Sequence, residues 1–212
     1  LSPKIHNHWI ESEKIDVGPY QKINVKKENF IRDVDRLIEE GYYGLNVTVP
    51  LKEDAYKYCD NTSDVARVLK AVNTLTINND GIYGDNTDPI GFEKSIASRG
   101  LNNKSCLVLG AGGSARAVVH ALTHMKCEIG IYNRTREKAE LLCSDLGLEA
   151  IILTEKTISE FIGSSHLVVN TTSLGQQEGE ENNLIDFNSL NSSAHVYDLI
   201  YNPSKTTFLR HA

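Results

Sequence analysis

Hydrophobic and polar positions change rhythm several times along this chain. In Gly44–Ala55, "GLNVTVPLKEDA", Leu45, Val47 and Val49 alternate with Asn46 and Thr48, the period of two of a half-buried β-strand. Pro50 cannot donate a ladder hydrogen bond, so pairing should stop there. A helix from about Glu53 to Tyr58 should follow, with Lys52 at its start. Upstream, "PKIHNHWIESEKI" is helix-like and "YQKINV" reads as a short strand. In "KENFIRDVDRLIEEG", Phe30, Ile31, Val34, Leu37 and Ile38 share one helical face, and Gly41 lies just past its end. Downstream come a polar turn "DNTSD", a helix "SDVARVLKA" and a hairpin "VNTLTINNDGIYGDNTD" that turns at Asn79-Asp80-Gly81. Together these predict a small α/β unit over residues 1–88.

"PIGFEKSIASRG" has helical spacing at Ile90, Phe92 and Ile96 and ends in Gly100; it predicts a linker helix over 89–100. From 101 to 212 the pattern becomes strict alternation. "SCLVLG", "CEIGIYN", "EAIIL", "HLVVNTT" and "AHVYDLIY" are apolar strands, separated by the helical runs "SARAVVHALTHM", "TREKAELLCSDLG" and "ISEFIG". Apolar strands alternating with helices mean a parallel sheet covered on both faces. "QQEGEENN" is a polar loop. "TTFLRHA" at the end looks like the first turns of an unfinished helix. The fold class is therefore α/β with two domains, an N-terminal α/β domain and a Rossmann-type doubly wound domain.

Composition narrows the function. The chain has 212 residues, 40% apolar and 24% charged, ordinary for a globular protein. A net charge of −6 and a pI near 5.7 argue against non-specific binding to nucleic acid or anionic membranes. No apolar run approaches the ~20 residues of a membrane span, and the N-terminus has no signal-peptide pattern. Cys59, Cys106, Cys127 and Cys143 form no C-x-x-C, which fits a reducing, cytoplasmic enzyme without a disulfide framework. His120 and His124 are four apart on a helix. No Glu follows His120 and no third ligand is evident, so no metal is expected.

"VLGAGGSARAV" sets Gly110, Ala111, Gly112, Gly113 and Ser114 between an apolar strand and a helix. G-x-G-x-x-A is met by Gly110, Gly112 and Ala115. The first glycine permits a tight turn, the second lets a pyrophosphate reach the backbone, and small Ala115 lets the helix pack close. A dinucleotide is the expected ligand; S-adenosylmethionine is the remaining alternative. An NAD enzyme usually offers Asp or Glu about 20 residues past the glycines. This chain offers Asn133, Arg134, Thr135, Arg136 and Lys138 instead. Cationic donors with no carboxylate at that point suit a 2′-phosphate, so NADP is the reading, with Arg134 the main contact.

Lys52 puts an ammonium at the positive end of a helix macrodipole, unfavourable by ~0.3–1 kcal/mol. "AVNTL" supplies Asn73, and "GDNTDPIGF" supplies Asn86, Thr87 and Asp88 where the chain crosses to the nucleotide domain. Asp88 is thereby placed at an interdomain cleft, the usual place for a substrate. "LSPKIHN", "GLNVTVPLK", "AVNT", "NTDPIGF", "GAGGSARA", "NRT" and "DLIYNPSKTTFL" follow the order and approximate spacing of the shikimate dehydrogenase family, which the whole chain resembles. The resemblance implies NADP-dependent reduction of 3-dehydroshikimate to shikimate, in aromatic amino-acid biosynthesis, with Lys52 and Asp88 as the catalytic pair. It further implies substrate contacts at Ser2, Thr48, Asn73, Asp88 and Tyr201, and cofactor-side positions at Asp64 and Leu199. A quinate/shikimate enzyme and a non-catalytic NADP-binding module are the alternatives. The partner expected is a small-molecule substrate, with a homodimer as the assembly considered. Pro89 stands where the family commonly has Gly. A second serine before Ser2 and a C-terminal segment with a substrate-binding glutamine are missing, so both ends are expected to be short of the family's.

Overall fold

Tyr20 lies in a stretch expected to be a strand, yet both its backbone groups are held by one side chain. Asn7 donates from Nδ2 to the Tyr20 carbonyl (3.0 Å) and accepts the Tyr20 N–H on Oδ1 (2.7 Å), and the His6 ring stacks on the Tyr20 ring at 4.2 Å. Those bonds occupy the donor and acceptor that a ladder would use. "YQKINV" is accordingly irregular, and the strand predicted there is not formed. The computed structural model describes residues 1–177 and 184–212; most of the polar "QQEGEENN" loop lies outside the described residues.

Contacts divide the chain into two units, Leu1–Gly41 and Tyr42–Ala212. The first holds α1 (Ser2–Ser12), which buries no residue, and α2 (Phe30–Glu39), which buries Phe30, Val34 and Leu37. Ile31, assigned to that apolar face, is 63% exposed. Gly41 takes φ +91° just past the helix, a conformation that a Cβ disfavours.

The second unit carries two sheets. The first is built from β1 (Gly44–Asn46), α3 (Lys52–Tyr58), β2 (Asn61–Thr62), α4 (Asp64–Leu69), β3 (Thr74–Asn78) and β4 (Gly81–Asp85). Strand order is β1-β3-β4-β2, with β2 parallel to β4 and the other pairs antiparallel. The hairpin closes with Asn78 opposite Gly81. β1 stops three residues before Val49, shorter than its alternation predicted. Leu51 donates its N–H to the Thr48 carbonyl (2.9 Å), so the chain is already turning into α3, and Val49 is 65% exposed. β2 lies in the stretch "DNTSD" that the sequence predicts to be a turn. It forms because the Asp60 N–H bonds Ile82 O while its carboxylate accepts the Ile82 N–H (2.8 Å).

α5 (Asp88–Ile96) leads through a 3₁₀ turn to Gly100. Then follow β5 (Ser105–Leu109), α6 (Gly113–His124), β6 (Glu128–Tyr132), α7 (Arg136–Leu146), β7 (Ile151–Ile152), α8 (Ile158–Ser164), β8 (Leu167–Asn170), β9 (His195–Asp198) and α9 (Thr207–His211). All pairings in the order β7-β6-β5-β8-β9 are parallel. Along β5, Cys106 and Val108 pack with Phe92, Val118, Leu122, Ile131 and Leu142 on one face. Leu107 and Leu109 pack with Ile158, Ile162 and Phe208 on the other. This is the doubly covered parallel sheet that the apolar strands predict. Chain order reverses direction between β5 and β8, and ligands of such sheets sit beyond the strands' carboxyl ends at that point.

A carboxylate joins the elements of the two sheets. Asp145 on α7 accepts from Lys70 Nζ, just past α4, and from Arg116 Nη2 on α6, each at 2.6 Å. The Lys70 bond and then the Arg116 bond hold its carboxyl below the ordinary carboxylate range. Stability from a depressed folded-state pKa is full above the unfolded value, about 3.9, and is lost as pH falls through the folded one. Asp145→Asn should destabilise by about 1–3 kcal/mol at pH 7, with the half-exposed Lys70 bond giving less than its full share. In urea titrations, the gap between wild type and variant should close as pH is lowered through the folded-state pKa; a gap independent of pH would show that packing, not charge, holds this corner.

Candidate active site

Lys52 and Asp88 are the first residues of α3 and α5. A carboxylate suits a helix N-terminus and an ammonium does not, and each side chain completes the other. Lys52 Nζ donates to Asp88 Oδ2, with side-chain exposures of 11% and 30%. Asn73 Nδ2 donates to the second carboxylate oxygen, Asp88 Oδ1, at 2.7 Å. Both lone-pair faces of the carboxylate are thus directed, one by a cation and one by an amide.

Asn73 is itself fixed. It is 8% exposed, and its Oδ1 accepts from the Thr87 N–H (3.1 Å) and the Thr74 hydroxyl (2.9 Å). Its backbone N–H bonds Asp85 O (2.9 Å) and its carbonyl accepts from Val47 (2.7 Å). Val72 donates to the Lys52 carbonyl (2.9 Å), so the segments bearing Lys52 and Asn73 are clipped together. Such a constellation can hold a proton at Lys52 Nζ in a fixed place.

The glycine turn stands at the carboxyl end of β5. Gly110 has φ +109°, and a Cβ there would come 2.5 Å from Thr171 Oγ1, so both backbone and space require glycine. At Gly112 and Gly113 a Cβ would meet nothing within 4 Å; the backbone faces open room. Gly112 caps α6 without a side-chain hydrogen bond, which leaves the first N–H groups of the helix for an anion. Ala111 is half-buried against the β5–α6 core, Ser114 is half-buried, and Ala115 is fully buried.

After β6, Arg134 and Lys138 are exposed. Neither side chain makes a hydrogen bond or ion pair among the described residues. Arg136 differs: its Nε bonds Glu140 on the same helix at 2.7 Å. Asn133 Nδ2 donates to the Thr135 carbonyl (2.7 Å), bracing the loop. Open room at the glycines, uncapped helix donors and two unpaired cations fit a dinucleotide with an added phosphate.

The other expected residues are more scattered. Ser2 opens α1, in the first unit, and is exposed. Thr48 lies exposed in the turn before α3, and Tyr201, 66% exposed, follows β9. No hydrogen bond among the described residues joins either to the Lys52–Asp88–Asn73 cluster. Asp64 opens α4 and bonds Arg67 (2.8 Å). Leu199 donates its N–H to Asn170 O (3.1 Å) and packs on the β5–α6 core. Among the described residues no group of His, Cys, Asp or Glu could hold a metal ion, no helix is long and apolar enough to cross a membrane, and all four cysteines are free thiols.

A second polar knot escaped the sequence reading. Asn170, fully buried at the end of β8, donates to Asp198 Oδ1 (3.0 Å) and accepts from the Thr172 N–H and hydroxyl (3.0 and 2.7 Å). Asp198 also accepts from the Ile200 N–H (3.0 Å) and the Thr206 hydroxyl (2.6 Å). It sets the loops after β8 and β9 and the backbone of Leu199. The available signal was a polar residue ending each apolar strand at the carboxyl edge.

Fold and cluster together define a dinucleotide-binding α/β protein with a paired, proton-holding lysine and aspartate. Residues 1–75 match the model of the shikimate dehydrogenase substrate binding domain, and residues 93–186 match that of shikimate / quinate 5-dehydrogenase. The chain belongs to the shikimate dehydrogenase family. It is 39% identical over 214 residues to a shikimate dehydrogenase (NADP(+)) of Roseobacter denitrificans, spanning 98% of this chain and 76% of that protein. The crystal structure of shikimate dehydrogenase from Aquifex aeolicus superposes with a TM-score of 0.88 at 34% identity, over 100% of this chain and 77% of that one. A Thermus thermophilus shikimate 5-dehydrogenase in complex with NADP(H) and shikimate gives 0.85 at 31% identity, over 100% and 78%.

Proposed function

We propose that this chain catalyses the reversible NADP-dependent reduction of 3-dehydroshikimate to shikimate, serving aromatic amino-acid biosynthesis; relatives named shikimate dehydrogenase (NADP(+)) support the reading. The observation that carries this reading is the Lys52–Asp88 ion pair completed by Asn73; a protein that merely sensed a nucleotide would need none of it. In ketone reduction the ring oxygen gains negative charge, which the Lys52 ammonium stabilises and then protonates. In the reverse direction the Lys52 amine takes the proton of the ring hydroxyl. Asp88 orients Nζ, and Asn73 orients Asp88. NADP when bound supplies the hydride or accepts it.

Residues 1–88 serve as the substrate-binding catalytic domain, 89–100 as the linker helix and 101–212 as the NADP domain, in keeping with the positions of the two family matches. Ser2, Thr48, Asn73 and Tyr201 are assigned to the substrate. Gly110 to Ser114, Asn133 to Arg136, Lys138, Asp64 and Leu199 are assigned to the cofactor. The reading includes a cytoplasmic homodimer. Four free thiols suit a reducing compartment; light scattering would measure the mass.

A steady-state assay with shikimate and quinate, each with NADP and NAD, tests the function directly. Shikimate with NADP should give the highest kcat/KM of the four combinations. No NADPH from shikimate, in a protein that binds NADP, would leave only the nucleotide-binding module.

A further inference from the structure

Asn86 is 4% exposed, and both ends of its amide are engaged within the protein. Nδ2 donates to the Ala71 carbonyl (2.9 Å), and Oδ1 accepts the Asp88 N–H (3.0 Å). Its own N–H is held by Asp85 Oδ1 (2.7 Å), which also accepts from the Ser63 hydroxyl (2.5 Å). Ala71 lies two residues before Asn73, and Asp88 two residues after Asn86. The amide therefore bridges the backbones of the two segments whose side chains meet at the Asp88 carboxylate.

The bonds close a ring. From Lys52 the path runs through its carbonyl to Val72, along the chain to Ala71, across the Asn86 amide to the Asp88 backbone, and back from the Asp88 carboxylate to Lys52 Nζ. Four links are chemically distinct, and Asn86 supplies two of them. The Asp88 N–H is one of the orphan donors of the α5 N-terminus. Water could satisfy it equally well, but water would not fix where α5 starts relative to Ala71. Asparagine is suited to the task because its side chain both mimics a turn and carries a donor and an acceptor at opposite ends.

We propose that Asn86 is a positioning residue for proton transfer, holding the first residue of α5 so that the Asp88 carboxylate meets Lys52 and Asn73 together. This rests on the shikimate dehydrogenase reading. It acts through the Lys52–Asp88 pair and touches no reactant.

The test is a double-mutant cycle on the full chain, read by kcat, by KM for shikimate and by NADP affinity. Asn86→Ala should lower kcat about tenfold or more while NADP affinity stays within about twofold. Asn86→Ser keeps an acceptor for the N–H two residues on but cannot reach Ala71 as well, so it should recover part of the loss. In a Lys52→Ala background, Asn86→Ala should cost little further activity, because the pair it positions is already broken. Unchanged kcat in Asn86→Ala, or an equal loss in both backgrounds, would overturn the proposal. So would NADP affinity falling in step with kcat in both the Ala and Ser variants, or failure of both to fold; Asn86 would then be a residue of the fold. If wild type itself turns over no shikimate, the functional reading fails first and the proposal goes with it.

Discussion

Lys52→Ala is expected to lower kcat by at least ~10²-fold, the lower end of general acid–base effects, with a much smaller change in KM for shikimate. The side chain is only 11% exposed and its ammonium is bonded to Asp88. Truncation removes the one cation of that cluster and leaves the Asp88 carboxylate with Asn73 as its remaining side-chain donor. A loss confined to the transition state lowers kcat and kcat/KM alike, which separates it from weakened binding. Lys52→Arg should not rescue the rate. A guanidinium keeps the charge, but it cannot be deprotonated and its planar fork differs from a point-like ammonium. Turnover within about threefold of wild type in Lys52→Ala, with a folded protein and saturating NADP, would contradict a proton-transfer role.

Lys52 is legible in the sequence because it breaks a local rule. A cation opening a helix after a polar-faced strand violates a local preference, and the violation is visible in a dozen residues. β5, β6 and β8 were equally legible, since each is a short apolar run that the sheet buries on both faces, and such burial demands that composition. The glycine turn was legible because Gly110 answers to a backbone angle and a clash with Thr171. What failed depends on partners far away in the chain. The absent strand at "YQKINV" turns on Asn7 gripping Tyr20, and β2 on Asp60 reaching Ile82. The early end of β1 is by contrast local: Pro50 lies inside the turn that Leu51 closes on Thr48, and that turn begins before Val49. In the site, Asp88 was placed by its position where the chain changes domain, and its pairing with Lys52 came from family resemblance; no periodicity links residues 36 apart. Asn86, Asn170 and Asp198 went unassigned because asparagine and aspartate are common turn residues, and only the bonds distinguish a clamp from a turn.

Arg134→Ala is expected to weaken NADP roughly ten- to more than a hundredfold, the worth of a charge-assisted hydrogen bond at ~1.5–3 kcal/mol, while NAD affinity changes by no more than about twofold. The 2′-phosphate is the only group that distinguishes the two cofactors, so a residue that reads it must discriminate between them. Arg134 is exposed and makes no hydrogen bond or ion pair among the described residues, so no internal bond must break before it engages a phosphate, and its removal takes none from the fold. Arg136, two residues on, is already committed to Glu140; Arg136→Ala should therefore shift the NADP/NAD preference far less. Ionic strength supplies a second check. The attraction of an exposed cation for a phosphate decays over a screening length of about 8 Å at 0.15 M salt, shorter at higher salt, so the wild-type preference for NADP should narrow as salt is raised, and Arg134→Ala should show little of that dependence. Equal losses for NADP and NAD in Arg134→Ala would assign this arginine to the loop's structure and leave Lys138, the other unpaired cation there, as the residue that meets the 2′-phosphate.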